Sequence, residues 1–314
     1  MKGLALARSY YESFGKEMLE KSFPDELSRI AVGLVGEGSE CSGFDDTLSQ
    51  DHDFEPGFCL WISRQDYEKF GFPLERAYAK LPKEFMGFSR SRLAPAGSRR
   101  HGVLIQQDFY TRFLGQPTPP DSLVGWLYTP SFALFAATNG EVWRDDMGSF
   151  TAVRDVLKRG YPLDVRKKKL AAHTLSMTQA GLYNYPRLLK RGERGAAQLA
   201  VFTFVKHAIS AIYLLNNAYE PFYKWAYRGM RSLPLLSEWE DTLSGLCELD
   251  NSEKNAKSKM EIIELLCDTL SEVLVKEQYS DAPTISLADH AYTVYNSIKD
   301  NALRKMHILE GIDT

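Results

Sequence analysis

The stretch Val35-Gly36-Glu37-Gly38-Ser39-Glu40-Cys41-Ser42-Gly43-Phe44-Asp45-Asp46-Thr47-Leu48-Ser49-Gln50-Asp51-His52-Asp53-Phe54 decides how the N-terminal half is read. The apolar, β-branched run Ile30 to Val35 leads into it and reads as a short buried strand entering a tight turn. Gly36 and Gly38 permit backbone angles and close approaches that a side chain forbids. Ser39 sets a hydroxyl beside exposed N–H groups, an arrangement that suits phosphate oxygens. Asp51 and Asp53 are two residues apart, so an extended strand turns both carboxylates to one face. Two carboxylates side by side repel each other, and a divalent cation relieves the repulsion. Mg²⁺, or Mn²⁺ in its place, fits such a pair, because both favour oxygen ligands and are readily shared with a substrate phosphate.

Gly38-Ser39, an eleven-residue spacer and Asp51-His52-Asp53-Phe54 together resemble the signature of the nucleotidyltransferase superfamily. That superfamily is typified by DNA polymerase beta and the aminoglycoside nucleotidyltransferases. The longer pattern, Gly38-Ser39-Glu40 with Asp45-Asp46 and Asp51-His52-Asp53, is similar to a bacterial subfamily described only as a domain of unknown function. His52 departs from the apolar residue usual between the two acids. The resemblance implies a Mg²⁺-dependent transfer of a nucleoside monophosphate from a nucleoside triphosphate, ATP first, to an unidentified acceptor. A small-molecule acceptor ranks ahead of tRNA or protein, and a non-catalytic nucleotide-binding module is the remaining alternative. It implies Asp51 and Asp53 as catalytic metal ligands, and Gly36, Gly38 and Ser39 as the phosphate cradle. Such sites carry a third carboxylate on a neighbouring strand, which can serve as general base. Asp108 is the candidate by order along the chain, with Asp145 behind it. The rival reading of Asp108 is a helix cap.

The 314 residues suffice for two domains with cores, and 44% hydrophobic with 25% charged residues is a globular composition. A net charge of −3 makes a nucleic-acid partner possible but not favoured. Cys41, Cys59, Cys247 and Cys267 lack metal-ligand spacing and read as reduced thiols, with Cys41 a packing residue. No signal-peptide core and no segment of membrane-spanning length is visible, so the expectation is a cytoplasmic protein without a membrane partner.

The expected fold is α+β. A nucleotidyltransferase-type mixed sheet flanked by helices occupies residues 1–150, and an all-α bundle over 151–314 closes the nucleotide cleft. In the first part the patterns predict a helix over 4–21, strands over 30–35, 58–62 and 102–108, and a helix opened by a Ser63–Asp66 capping box. A further helix covers 74–85, broken near Pro82. Arg90, Arg92, Arg99 and Arg100 stud a Gly/Ser-rich loop that reads first as solvated and second as an anion contact. A helix over 131–138 closes at Asn139-Gly140, before an edge strand at 141–145. In the second part helices are predicted over 171–181, 195–217, 238–249, 257–277 and 286–308. Lys167-Lys168-Lys169 reads as a solvated face. Tyr183, Asn217 and Lys224 sit in polar-aromatic stretches that interrupt the apolar helical pattern, so they are assigned to the nucleotide, facing the two acids across the cleft.

Overall fold

The computed structural model of the chain describes residues 1–50, 54–90 and 100–312. Asp51, His52, Asp53, Arg92 and Arg99 lie outside the described residues. The chain is α+β and forms two compact units. One comprises Met1–Pro120 with Ser131–Arg159, the other Asp121–Pro130 with Gly160–Thr314.

The first unit is built on a four-stranded mixed sheet of order β5-β2-β1-β6. Its strands are β1 (Ala31–Leu34), β2 (Cys59–Ile62), β5 (Gly102–Ile105) and β6 (Glu141–Arg144). A separate hairpin pairs β3 (Glu84–Phe85) with β4 (Phe88–Ser89). β1 runs antiparallel to β2, with Val32 opposite Leu60, and antiparallel to the edge strand β6. β2 and β5 are parallel. Every residue of β1 and β2 is buried, which is why both read as unbroken apolar runs rather than alternating ones. Helix α1 (Gly3–Tyr10) continues through a π-helical turn, Tyr11–Gly15, into α2 (Lys16–Ser22). Tyr10, Tyr11 and Leu19 from this helix join Phe58, just ahead of β2, and Leu60 and Val32 of the sheet in one core. Ser63 caps α3 (Arg64–Asp66) by accepting from the Asp66 N–H, and the helix runs on through a second π turn, Tyr67–Gly71, into α4 (Phe72–Ala79). The helix expected over 74–85 thus starts earlier and stops before Pro82, whose ring and missing N–H cannot continue it.

The strand expected to reach Asp108 ends at Ile105. From Gln106 the chain is helix α5 (Gln106–Leu114), so Asp108 lies in a first helical turn rather than on a strand. α6 (Leu123–Tyr128) belongs to the second unit. The chain then returns to the first unit with α7 (Ser131–Thr138), β6 and α8 (Ser149–Lys158).

The second unit is helical. α9 (Leu163–Met177) passes through a π turn, Thr178–Asn184, into α10 (Tyr185–Lys190), and α11 (Arg194–Leu215) packs against both. α12 (Tyr223–Met230), α13 (Glu240–Glu248), α14 (Glu253–Lys276), α15 (Leu287–Asn296) and α16 (Asn301–Lys305) follow. The single helix expected over 286–308 is two, because Asp300 caps a new start at α16 and Asp164 holds the Lys299 and Asp300 N–H groups. α11 is long and apolar enough to cross a membrane, against expectation, yet 72% of its most apolar window is buried, as in a core helix. The lysine triplet is not a solvated face. Lys168 is fully buried and donates to the carbonyls of His307 and Ile308. Lys167 and Lys169 donate to the carbonyls of Ser297 and Gly311.

Candidate functional site

The quoted stretch leaves β1 as a closed turn. Gly36 takes φ +146°, a conformation rarely open to residues with a side chain. Asn139, just past α7, clamps both backbone groups of Gly36. Its Oδ1 accepts from the Gly36 N–H at 3.0 Å, and its Nδ2 donates to the Gly36 carbonyl at 2.6 Å. Asn139 is itself fixed from behind. The buried Arg154 guanidinium donates to the Asn139 and Gly140 carbonyls at 2.7 and 2.8 Å, and its burial pulls its pKa down. Gly140 sits at φ +63° where a Cβ would overlap the Leu34 carbonyl, so this helix end can close only with glycine.

Beyond Gly36 the chain folds into successive tight turns. The N–H groups of Cys41, Ser42 and Gly43 bond back to the carbonyls of Gly38, Ser39 and Glu40. Among the described residues no acceptor faces the N–H groups of Glu37, Ser39 and Glu40. The Glu40 carboxylate lies over Gly38, in the space a Gly38 side chain would take. Cys41 is buried below it, and burial first, then the Glu40 charge, pushes its thiol well above the usual value. That is the environment of a packing thiol, not of a nucleophile. The loop is fastened further on. Asp45, buried, accepts from the Gly3 N–H at 2.9 Å and so caps α1, while Lys2 pairs with its carboxylate. Asp46 accepts from the Leu48 and Ser49 N–H groups.

Two arginines from elsewhere in the first unit meet this turn. Arg112 of α5 pairs with Glu37, and Arg100 and Arg112 line, with Gly36, Gly38 and Glu40, a cavity of about 20 Å³. That is room for one water. Arg112 belongs to no motif in the sequence. Its only signal is its place one helical turn after Asp108, which sets the two side chains on one face of α5. Asp108 is exposed and pairs with Arg64 of α3. Asp145, its rival, accepts from the Thr151 N–H and hydroxyl at 2.7 and 2.9 Å and caps α8. Arg90 is committed to the first unit's core, donating to the Tyr10 hydroxyl and to the Tyr78 and Ala79 carbonyls.

The structure therefore brings Gly36, Gly38 and Ser39 together in one turn, with Asp108 on the helix that supplies Arg112. Asp51 and Asp53 are outside the described residues. Among the described residues no group of three or more His, Cys, Asp or Glu side chains gathers that could hold a metal. Tyr183, Asn217 and Lys224 belong to the second unit, where each has its own neighbours. Tyr183 is exposed under the Arg187 guanidinium, 4.7 Å from its ring centre. Asn217 takes φ +50° at the end of α11, with its amide where a Gly160 side chain would be. The Lys224 ammonium lies 5.5 Å from the Trp225 ring centre.

Residues 126–226 match a domain of unknown function, DUF4037. The match covers about a third of the chain. It takes in Asn139, Arg154, Asp145, Tyr183, Asn217 and Lys224, and leaves out the stretch from Val35 to Phe54. No curated protein and no solved structure matches the chain.

Proposed function

We propose that the protein transfers a nucleoside monophosphate from a nucleoside triphosphate, ATP foremost, to a small-molecule acceptor. The observation that supports this reading is the turn at Gly36–Ser39. It is rigidly clamped by Asn139, offers unclaimed N–H groups at Glu37, Ser39 and Glu40, and lies beside the cations Arg100 and Arg112. Backbone N–H groups in a turn together with arginine are a recurrent way to hold phosphate. The Glu40 carboxylate over Gly38 repels an incoming phosphate, so it must swing aside for the terminal phosphates to reach the turn.

Asp51 and Asp53 would hold Mg²⁺, a hard cation matched to carboxylate oxygens, as would Mn²⁺. The ion supplies charge neutralisation for the triphosphate and lowers the pKa of an acceptor hydroxyl. Asp108 is the candidate base; to act, its carboxylate must leave Arg64. In the second unit Tyr183, Asn217 and Lys224 are assigned to base, sugar and phosphate. A macromolecular acceptor such as tRNA is the second reading. Exposed Tyr183 and Tyr223 beside Arg187 and Lys224 favour it, because aromatic faces among cations stack single-stranded bases.

Titration calorimetry with ATP, with and without Mg²⁺, tests the reading. Asp51→Ala and Asp53→Asn should each abolish the tightening by Mg²⁺ while the protein stays folded. Wild-type affinity with Mg²⁺ in either variant would remove the metal site and the reaction with it.

A further inference from the structure

A second cavity lies away from the turn. It is an open groove of about 580 Å³ in the first unit, between the end of the α1–α2 helix and α4 with the segment after it. Its floor is apolar, made by Phe14, Met18, Phe23 and Leu81. Phe72, at the start of α4, stands 67% exposed beside it. The charges around the groove are unbalanced. Lys21, Arg76 and Lys80 line it against one carboxylate, Glu17, which Lys21 already pairs. Arg76 and Lys80 have no ion pair among the described residues, although the chain as a whole is net negative. Arg76 lies 6.0 Å from the centre of the Phe72 ring, so cation and exposed aromatic form one feature.

We infer that this groove docks an acidic amphipathic helix of a partner protein. The two walls are helices, and the channel between two packed helices accepts a third that lays its apolar stripe on the floor. The helical part of its walls runs from Phe14 to Ser22 and from Phe72 to Ala79. At 1.5 Å per residue each is on the order of 12–14 Å long, a little over two helical turns. That length accommodates apolar anchors at i, i+3 or i+4, and i+7. Carboxylates on the flanks of such a helix face Lys21, Arg76 and Lys80, whereas a basic helix would be repelled. The inference is independent of the nucleotide chemistry: none of these residues belongs to the Gly36–Ser39 turn.

The test uses the full-length protein and a fluorescein-labelled helical peptide of about four turns. It carries leucine at i, i+3, i+4 and i+7, and glutamate on the remaining face. Controls are the same peptide with lysine for glutamate, and a scrambled peptide of equal composition. Fluorescence anisotropy should show saturable binding of the acidic peptide only. Phe72→Ala and Lys80→Glu should each weaken it about five-fold or more, the loss expected when an anchor or a facing charge is removed. Both side chains are exposed, and circular dichroism verifies that the variants fold; Lys80→Glu stands alone if Phe72→Ala does not. Equal binding of the lysine peptide, wild-type affinity in the folded variants, or no binding at all overturns the proposal. So does displacement of a bound fluorescent fatty acid by laurate but not by the acidic peptide, which would make the groove a site for small amphiphiles.

Discussion

Replacing Asn139 by alanine isolates the clamp that shapes the Gly36–Ser39 turn. The substitution removes two hydrogen bonds to one residue, at 3.0 and 2.6 Å, and leaves the N–H and carbonyl of buried Gly36 without those partners. A typical hydrogen bond contributes about 1 kcal/mol net, and a stranded buried group costs about 1–3 kcal/mol. Asn139 is half-buried, so water reaches part of the gap and the lower end applies. The sum is about 2–4 kcal/mol. For a unit of this size each kcal/mol moves the melting temperature by about 2–4 °C. Calorimetry should therefore show the first unit melting roughly 5–15 °C lower, by the same scaling. Asn139→Asp retains an acceptor for the Gly36 N–H but cannot donate to its carbonyl, so it should fall between wild type and alanine. ATP affinity should drop in the same order, because the turn loses its preset shape. A shift under about 2 °C for Asn139→Ala, or ATP affinity unchanged at an altered melting temperature, would refute the clamp as the device that holds the site.

Gly38→Val should abolish ATP binding and leave the far-ultraviolet circular dichroism of the helical unit unchanged, since the new side chain takes the space now held by the Glu40 carboxylate. In the second unit the buried rings of His173 and His207 meet Nδ1 to Nδ1 at 2.9 Å, so at most one proton lies between them. Burial holds His173 well below its ordinary pKa and lowers His207 to about 4, with Lys169 and Lys206 adding to the effect at His173 and Lys206 at His207. The unfolded chain takes up protons near pH 6.5, so stability conferred by the neutral pair is full above that pH and falls as pH drops toward 4. His207→Gln should flatten this acid slope by about one proton in urea titrations at stepped pH; an unchanged slope would place the titration elsewhere. Lys168 gives the opposite end of the scale. Burial lowers its ammonium to about 8, so between about pH 8 and 10.4 the folded state sheds its proton before the unfolded one and stability rises. Lys168→Met should lose that rise, and a rise that persists in the variant would refute the assignment.

Much of the first unit was legible because its signals are local. Ile30 to Val35, Phe58 to Ile62, the Ser63–Asp66 cap and the Asn139-Gly140 stop each act within a few residues, and the strands and helices form there. Asp108 shows the limit. Gly102-Val103-Leu104-Ile105 has strand character, but Gln106-Gln107-Asp108 suits a helix start as well as a strand end, and the helix took it. The three π turns left no trace, because one extra residue in a turn hardly disturbs apolar spacing over a short window. The lysine triplet misled for a different reason. Its partners, the carbonyls of Ser297, His307, Ile308 and Gly311, lie more than a hundred residues away in sequence. Arg112 and Arg154 are alike in this respect: their service to the turn depends on where α5 and α8 pack, and no motif announces it.

The detour of α6 sets the order in which this protein can be made. Trp126 and Leu127 leave the ribosome before the last stretch of the first unit, yet they are buried in the second, where Leu127 fits against Gly311 near the end of the chain. At a synthesis rate of about 5–20 residues per second, that helix waits roughly ten to forty seconds for its final neighbour. The first unit waits only for Arg154, which secures Asn139 from 15 residues further along the chain. Every residue of the first unit precedes Gly160, so that unit can close while α6, threaded through it in sequence, still lacks the rest of its own. A nascent polypeptide halted at residue 150 would carry an orphaned apolar helix and an unanchored turn, a natural client for chaperones that bind exposed apolar segments.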